Sequence, residues 1–133
     1  VEQSKQILQK MAMAMQISRR FEIRVEEVDG MLKPELGEVW TALKTAVSAG
    51  HAMFLRMTGE AGPKEELRFL VKGFQNFFAA SCIAAEGAAA EGLPDLKALL
   101  TEEHWQQMLE MLGEAWPGSY VEIVQNRLGQ FKP

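Results

Sequence analysis

The chain is poor in the residues that carry most chemistry. Its 133 residues include one cysteine, Cys82, two histidines and one tyrosine, and aromatic residues make up 8%. A lone cysteine excludes an internal disulfide framework, and a disulfide-free chain fits a reducing compartment, so the expected location is cytoplasmic. Cys82 lies in the most apolar stretch with no Lys, Arg or His within a helical turn, which makes it a small buried hydrophobe, not an activated thiol. No apolar run approaches the ~20 residues that a membrane-spanning helix needs, so no membrane is expected. There is no glycine-rich phosphate loop, because the glycines end helices or interrupt apolar faces. No Glu-x-x-His or His-Glu-x-x-His spacing is present, and no Ser or Cys nucleophile stands near a histidine. The sequence therefore offers no catalytic residue, metal site or cofactor site, and a non-enzymatic role is expected.

What is present is a helical pattern. Hydrophobic residues make up 47% and charged residues 24%, the composition of an ordinary globular protein. A length of 133 residues suits one domain with a real core, so residues 1–133 are expected to form a single helical domain. Gly and Pro mark breaks at 29–34, 59–63, 92–94 and 116–118. Pro34 and Pro63 are each followed closely by Glu, a signal for helix starts. Thr101 is a candidate N-cap, and Ser119 with Glu122 matches a capping box.

Between the breaks, apolar residues recur at steps of three and four. Ile7, Met11, Ala14, Ser18, Phe21, Val25, Val28 and Leu32 follow a heptad-like seam. A helix over residues 2–29 would be about 40 Å long at ~1.5 Å per residue. Leu36, Trp40, Leu43, Val47, Gly50, Phe54 and Met57 continue the pattern in a second segment, and Leu67, Leu70, Val71, Phe74, Phe77, Phe78, Ser81 and Ala85 in a third. A short piece at 95–100, a helix carrying Trp105, Met108, Leu109 and Leu112, and a last one carrying Val121, Val124, Leu128 and Phe131 follow. Residues 21–25 (FEIRV) alternate, but the longer helical period takes precedence there. The expected fold class is all-α: an irregular antiparallel helical bundle with three long helices followed by two or three shorter ones.

Residues 73–85 (GFQNFFAASCIAA) contain no charged side chain. A helix that is apolar all round must be covered on more than one side. On a helical wheel Phe69, Gly73, Asn76, Ala80, Ile83 and Gly87 form a second face, with small residues at 73, 80 and 87. Two glycines in a helix destabilise it, by about 1 kcal/mol each relative to alanine, and point to a close approach of another backbone. The cover is either the shorter C-terminal helices or a partner. If a partner, these six residues are the interface of a homo-oligomer or a docking face for a partner protein's helix.

Charge is uneven. Residues 73–126 carry eight acids and one base, Lys97, for a net −7. That acidic half argues against nucleic acid, whose phosphates need clustered Lys and Arg. It leaves a solvated acidic face or attraction to a basic partner. Arg19, Arg20 and Arg24 are expected to pair with Glu22, Glu26 and Glu27 along a helix.

His51 sits near Trp40, Val47 and Phe54 on the second segment. Its surroundings, GHAMFLRMTGEAG, are distantly similar to the phosphate-accepting helix of histidine phosphotransfer domains, which carry His-x-Leu-Lys-Gly. Met53, Phe54 and Leu55 occupy the matching positions, so the lysine and glycine that serve the phosphoryl group are absent. His104, beside Glu102 and Glu103, reads as an exposed first-turn residue. The eight methionines suit gap filling or a plastic apolar pocket. Two roles follow. The leading one is a protein–protein interaction or regulatory module, self-associating as a homodimer or larger assembly through the uncharged third helix. The alternative is a sensor or carrier domain that binds a small apolar ligand among Trp40, His51, Phe54, Met57 and Trp105, with haem on His51 as a minor variant.

Overall fold

The computed structural model describes residues 2–52, 54–58, 65–87 and 92–129. Met53, Pro63 and Phe131 lie outside the described residues. The described chain is mostly helical, with a small three-stranded sheet. In chain order the elements are α1 (Glu2–Ile17), β1 (Ile23–Arg24), α2 (Val25–Met31), a 3-10 turn (Pro34–Leu36), α3 (Gly37–Ser48), β2 (Leu55–Thr58), β3 (Glu66–Phe69), α4 (Lys72–Glu86), α5 (Leu96–Thr101), α6 (Glu103–Ala115) and α7 (Pro117–Leu128).

The sheet corrects the expectation of a wholly helical chain, and turn chemistry explains why. α1 stops at Ile17 although the apolar period runs on to Leu32. Arg20 N–H donates to Met15 O at 2.8 Å and Arg19 N–H to Gln16 O at 3.2 Å, with Arg19 at φ 58°. This is a Schellman stop with arginine in the left-handed position that glycine usually fills. The chain then runs extended, and Ile23–Arg24 pairs with β3. α3 ends the same way: His51 N–H donates to Ala46 O at 2.8 Å and Gly50 N–H to Val47 O at 3.0 Å, with Gly50 at φ 76°. Gly50 is thus a helix stop, not a member of an apolar stripe.

The antiparallel sheet has the order β1-β3-β2. Ile23, Leu55, Leu67 and Phe69 face inward and are buried, while Arg24 and Arg56 on the other face are exposed. Glu66 opens β3 and not a helix. Phe69 stacks on Phe78 of α4, with centroids 5.8 Å apart, and Phe54 meets Phe74 and Phe78 edge-on at 5.0 and 5.2 Å. These rings join the sheet to α4 in an aromatic cluster of the favoured offset and edge-to-face kinds.

α4 is the central helix. It packs on α1 and on α6, and α5 and α7 pack in turn against α6. One buried cluster runs from Ile7 and Met11 on α1 through Ala79, Ala80 and Ile83 on α4 to Met108, Leu112 and Ile123. Helix starts depart in detail from expectation. Thr101 closes α5, its hydroxyl donating to Lys97 O at 2.7 Å, and Glu102 takes the N-cap position of α6. α7 begins at Pro117, so Ser119 lies within its first turn. Asp95 caps α5 by accepting Ala98 N–H at 2.9 Å. Gly92 bridges to α5 at φ 85°, and a Cβ there would lie 2.7 Å from the Ile17 side chain, so this position requires glycine twice over.

Candidate interaction surface

The six residues of the small-residue face fall in four different settings. Asn76, Ala80 and Ile83 are wholly buried within the single chain. Asn76 Nδ2 donates to Gln107 Oε1 on α6 at 2.9 Å, and Ala80 and Ile83 lie on the same side of α4 one and two turns on. α6 therefore covers this side, and a second copy could reach it only by displacing α6. Phe69 is buried in β3 among the aromatic rings. Gly73 has no atom within 4 Å of where its Cβ would stand, so no backbone approaches it. Gly87 ends α4 at φ 89°, and its backbone conformation is what requires glycine. Within the single chain these six are three core positions, a sheet residue, an open glycine and a helix stop, and for Asn76, Ala80 and Ile83 the cover is a C-terminal helix, the first of the two covers the sequence leaves open.

The opposite side of α4 is tied to α1 by polar contacts. Gln75, 1% exposed, donates through Nε2 to Gln16 Oε1 at 3.2 Å and to Arg20 O at 3.1 Å. Gln16, wholly buried, donates to His104 O at 2.8 Å, and His104 Nε2 lies 2.7 Å from Gln16 O. His104 is thus a half-buried link between the end of α1 and the start of α6, not a bare first-turn side chain. Gln9 donates to Ser81 Oγ at 2.6 Å, and Lys10 pairs with Glu86. That partner raises the Lys10 ammonium pKa above its ordinary value. Cys82 is 2% exposed, and burial pushes its thiol up to about 11, the opposite of an activated cysteine.

The arginines of the 19–24 stretch pair differently from a helical ladder. Arg20 forks onto Glu27, both bonds 2.8 Å, which holds the Glu27 carboxyl below its ordinary pKa. Arg19 reaches Glu102 on the far side of the chain, and Arg24 lies 3.7 Å from Glu26.

The residues named for an apolar ligand do not form one cavity. Trp40 is buried, with its indole N–H donating to Asp29 and Lys44 over its ring at 5.3 Å from the centroid. Trp105 is buried in α6, and Phe54 belongs to the aromatic cluster. Met57 is half-buried in β2, and His51 is exposed just past α3. None of the five lines any of five clefts on the described surface. Among the described residues no group of three or more His, Cys, Asp or Glu is placed to hold a metal ion, and no helix is long and apolar enough to cross a membrane.

The exposed apolar surface lies elsewhere. Leu70 and Val71, at the entry to α4, are 46% and 53% exposed, and Phe77, two turns along, is 40% exposed. Phe77 lies against Trp116, centroids 5.6 Å apart. Phe21 is also exposed, with Lys72 Nζ 5.0 Å from its ring centroid. The helical period of the third segment runs through Leu70, Val71 and Phe77 together with Leu67, Phe74 and Phe78. Starting α4 at Lys72 frees the first two, and the wheel places Phe77 between the α1 and α6 sides, where neither helix covers it. Compared with known proteins, the chain matches no family model, no curated protein and no solved structure.

Proposed function

We propose that this chain is a non-enzymatic helical interaction or regulatory module, acting in the cytoplasm, that associates with a second copy of itself through the open edge of α4. The observation that carries this reading is the set of exposed apolar residues at the entry and edge of α4: Leu70, Val71 and Phe77, the last against Trp116. Exposed large apolar side chains grouped on one element are candidates for an interaction site, and aromatic anchors contribute most to such contacts. The proposed surface differs from the small-residue face of the same helix, which α6 already covers. The uncharged helix remains the organising element, because its α1 and α6 sides are both used internally while this edge meets solvent. For a ligand-carrier role, none of Trp40, His51, Phe54, Met57 and Trp105 lines any of the five clefts among the described residues.

Native mass spectrometry and light scattering test the reading. The wild-type chain should give a multiple of 14.9 kDa. Phe77→Glu should give monomers with an unchanged helical circular dichroism spectrum, because the side chain already meets solvent. A wild-type monomer across the micromolar range would sink the self-association, as would a Phe77→Glu variant that stays assembled.

A further inference from the structure

A second surface carries its own argument. α5, α6 and α7 enclose an open groove of about 560 Å³. Its apolar part is Leu100, 48% exposed at one end, Leu109 on the floor, and the Tyr120 ring at the other end. The Tyr120 ring packs beside Gly113, where a Cβ would sit 3.6 Å from Tyr120 Cδ2, and is half-buried. One wall carries Glu110 and Glu114, both exposed. They stand four residues apart on the same side of α6, a like-charge spacing that is unfavourable in an isolated helix. Neither makes an ion pair among the described residues, whereas Glu27, Glu86 and Glu102 all do. No basic residue lines the groove.

We propose that this groove docks a basic amphipathic helix of another protein, its apolar stripe on Leu100, Leu109 and Tyr120 and its Lys or Arg side chains on Glu110 and Glu114. Positions 110 and 114 are separated by a rise of about 6 Å along the α6 axis, the same rise as between residues four apart on a helix lying alongside. The lining from Gln106 to Glu114 spans about 12 Å, two turns of such a helix. An apolar floor with a carboxylate wall is the complement of a helix with one apolar and one basic face. The residues proposed for self-association do not line this groove, so a monomeric chain would leave the proposal standing.

The test uses the full chain and a labelled 14-residue helical Leu/Lys peptide with the apolar residues on one face, followed by fluorescence anisotropy. A Leu/Glu peptide of the same pattern is the control. The Leu/Lys peptide should bind, more weakly as salt rises, and the Leu/Glu peptide should not. Glu110→Lys/Glu114→Lys should weaken binding at least tenfold, and Leu100→Ser several-fold. Glu35→Lys/Glu38→Lys, the same charge change on exposed residues before and in α3, should alter it less than twofold. Phe77→Glu should leave it unchanged, and circular dichroism checks that each variant is folded. Absence of binding, or equal weakening by both charge-reversed pairs, would overturn the proposal. So would conversion of a self-assembled chain to monomers by Glu110→Lys/Glu114→Lys, which would make the occupant a second copy.

Discussion

α4 meets its two neighbours in different chemical terms. Toward α1, polar groups are tied: Gln75 to Gln16 and Arg20 O, Gln16 onward to His104 O, Ser81 to Gln9 and Glu86 to Lys10. Toward α6, Ala80 and Ile83 pack apolar surface, and Asn76 makes one side-chain bond, to Gln107. Among the described residues, two buried polar atoms, Asn76 Oδ1 and Trp105 Nε1, have no hydrogen-bond partner. A buried polar group left unmatched costs about 1–3 kcal/mol, while a bonded one is close to neutral or favourable. The α1 seam is thus specified by hydrogen bonds, and the α6 seam is held mainly by apolar packing with one side-chain bond. Similar burial therefore does not imply similar tolerance to substitution.

The sharpest way to break the comparison is Ala80→Glu. If α6 covers this position, an unpaired carboxylate enters the core, a change on the order of several kcal/mol that should abolish the cooperative urea transition. A folded Ala80→Glu protein would place this face at the surface after all. Next comes Gln16→Leu, which removes the bridge between α1, α4 and α6 and leaves the His104 carbonyl without its side-chain donor. Destabilisation of about 1–3 kcal/mol is expected in urea unfolding. Its counterpart, Asn76→Leu, deletes a single side-chain bond to Gln107, an exposed residue that water can satisfy, so its effect should stay within about 1 kcal/mol. Equal losses at 16 and 76 would erase the distinction between the seams. The smallest effect is a gain. Gly73→Ala adds a methyl that meets nothing and restricts the unfolded chain, so thermal unfolding should show stabilisation of about 0.4–1 kcal/mol. Destabilisation there would mean that a backbone does come close.

Much of the helical skeleton was legible because long segments repeat their pattern. The uncharged stretch 73–85 falls inside α4, and the Trp105–Leu112 spacing falls inside α6. The strands were not, for a physical reason. In four residues, Leu55 and Met57 or Leu67 and Phe69 satisfy a period of two and sit equally well within steps of three and four. The decision belonged to the turns. Gly50 carried a readable stop signal, but Arg19 carried none, since arginine adopts the left-handed conformation only where the surrounding chain holds it there. The candidate surface was less legible still. Small residues at 73, 80 and 87 look alike in sequence, yet one faces open space, one is core and one is a backbone requirement. The acidic excess could be counted, but Leu100 and Tyr120 share a groove only because three short helices fold against one another.

The central position of α4 has a consequence in time. A polypeptide is made from its N-terminus, so α1 and α4 exist before α6 does. The side of α4 that carries Asn76, Ala80 and Ile83 stays bare until residue 115 has been added, a wait of a few seconds at about 5–20 residues per second. During that interval the nascent chain displays the uncharged stretch 73–85 without its α6 cover. Shielding by a holdase, or a fast rate of synthesis through the α5–α6 segment, would determine how much of this protein reaches its folded form.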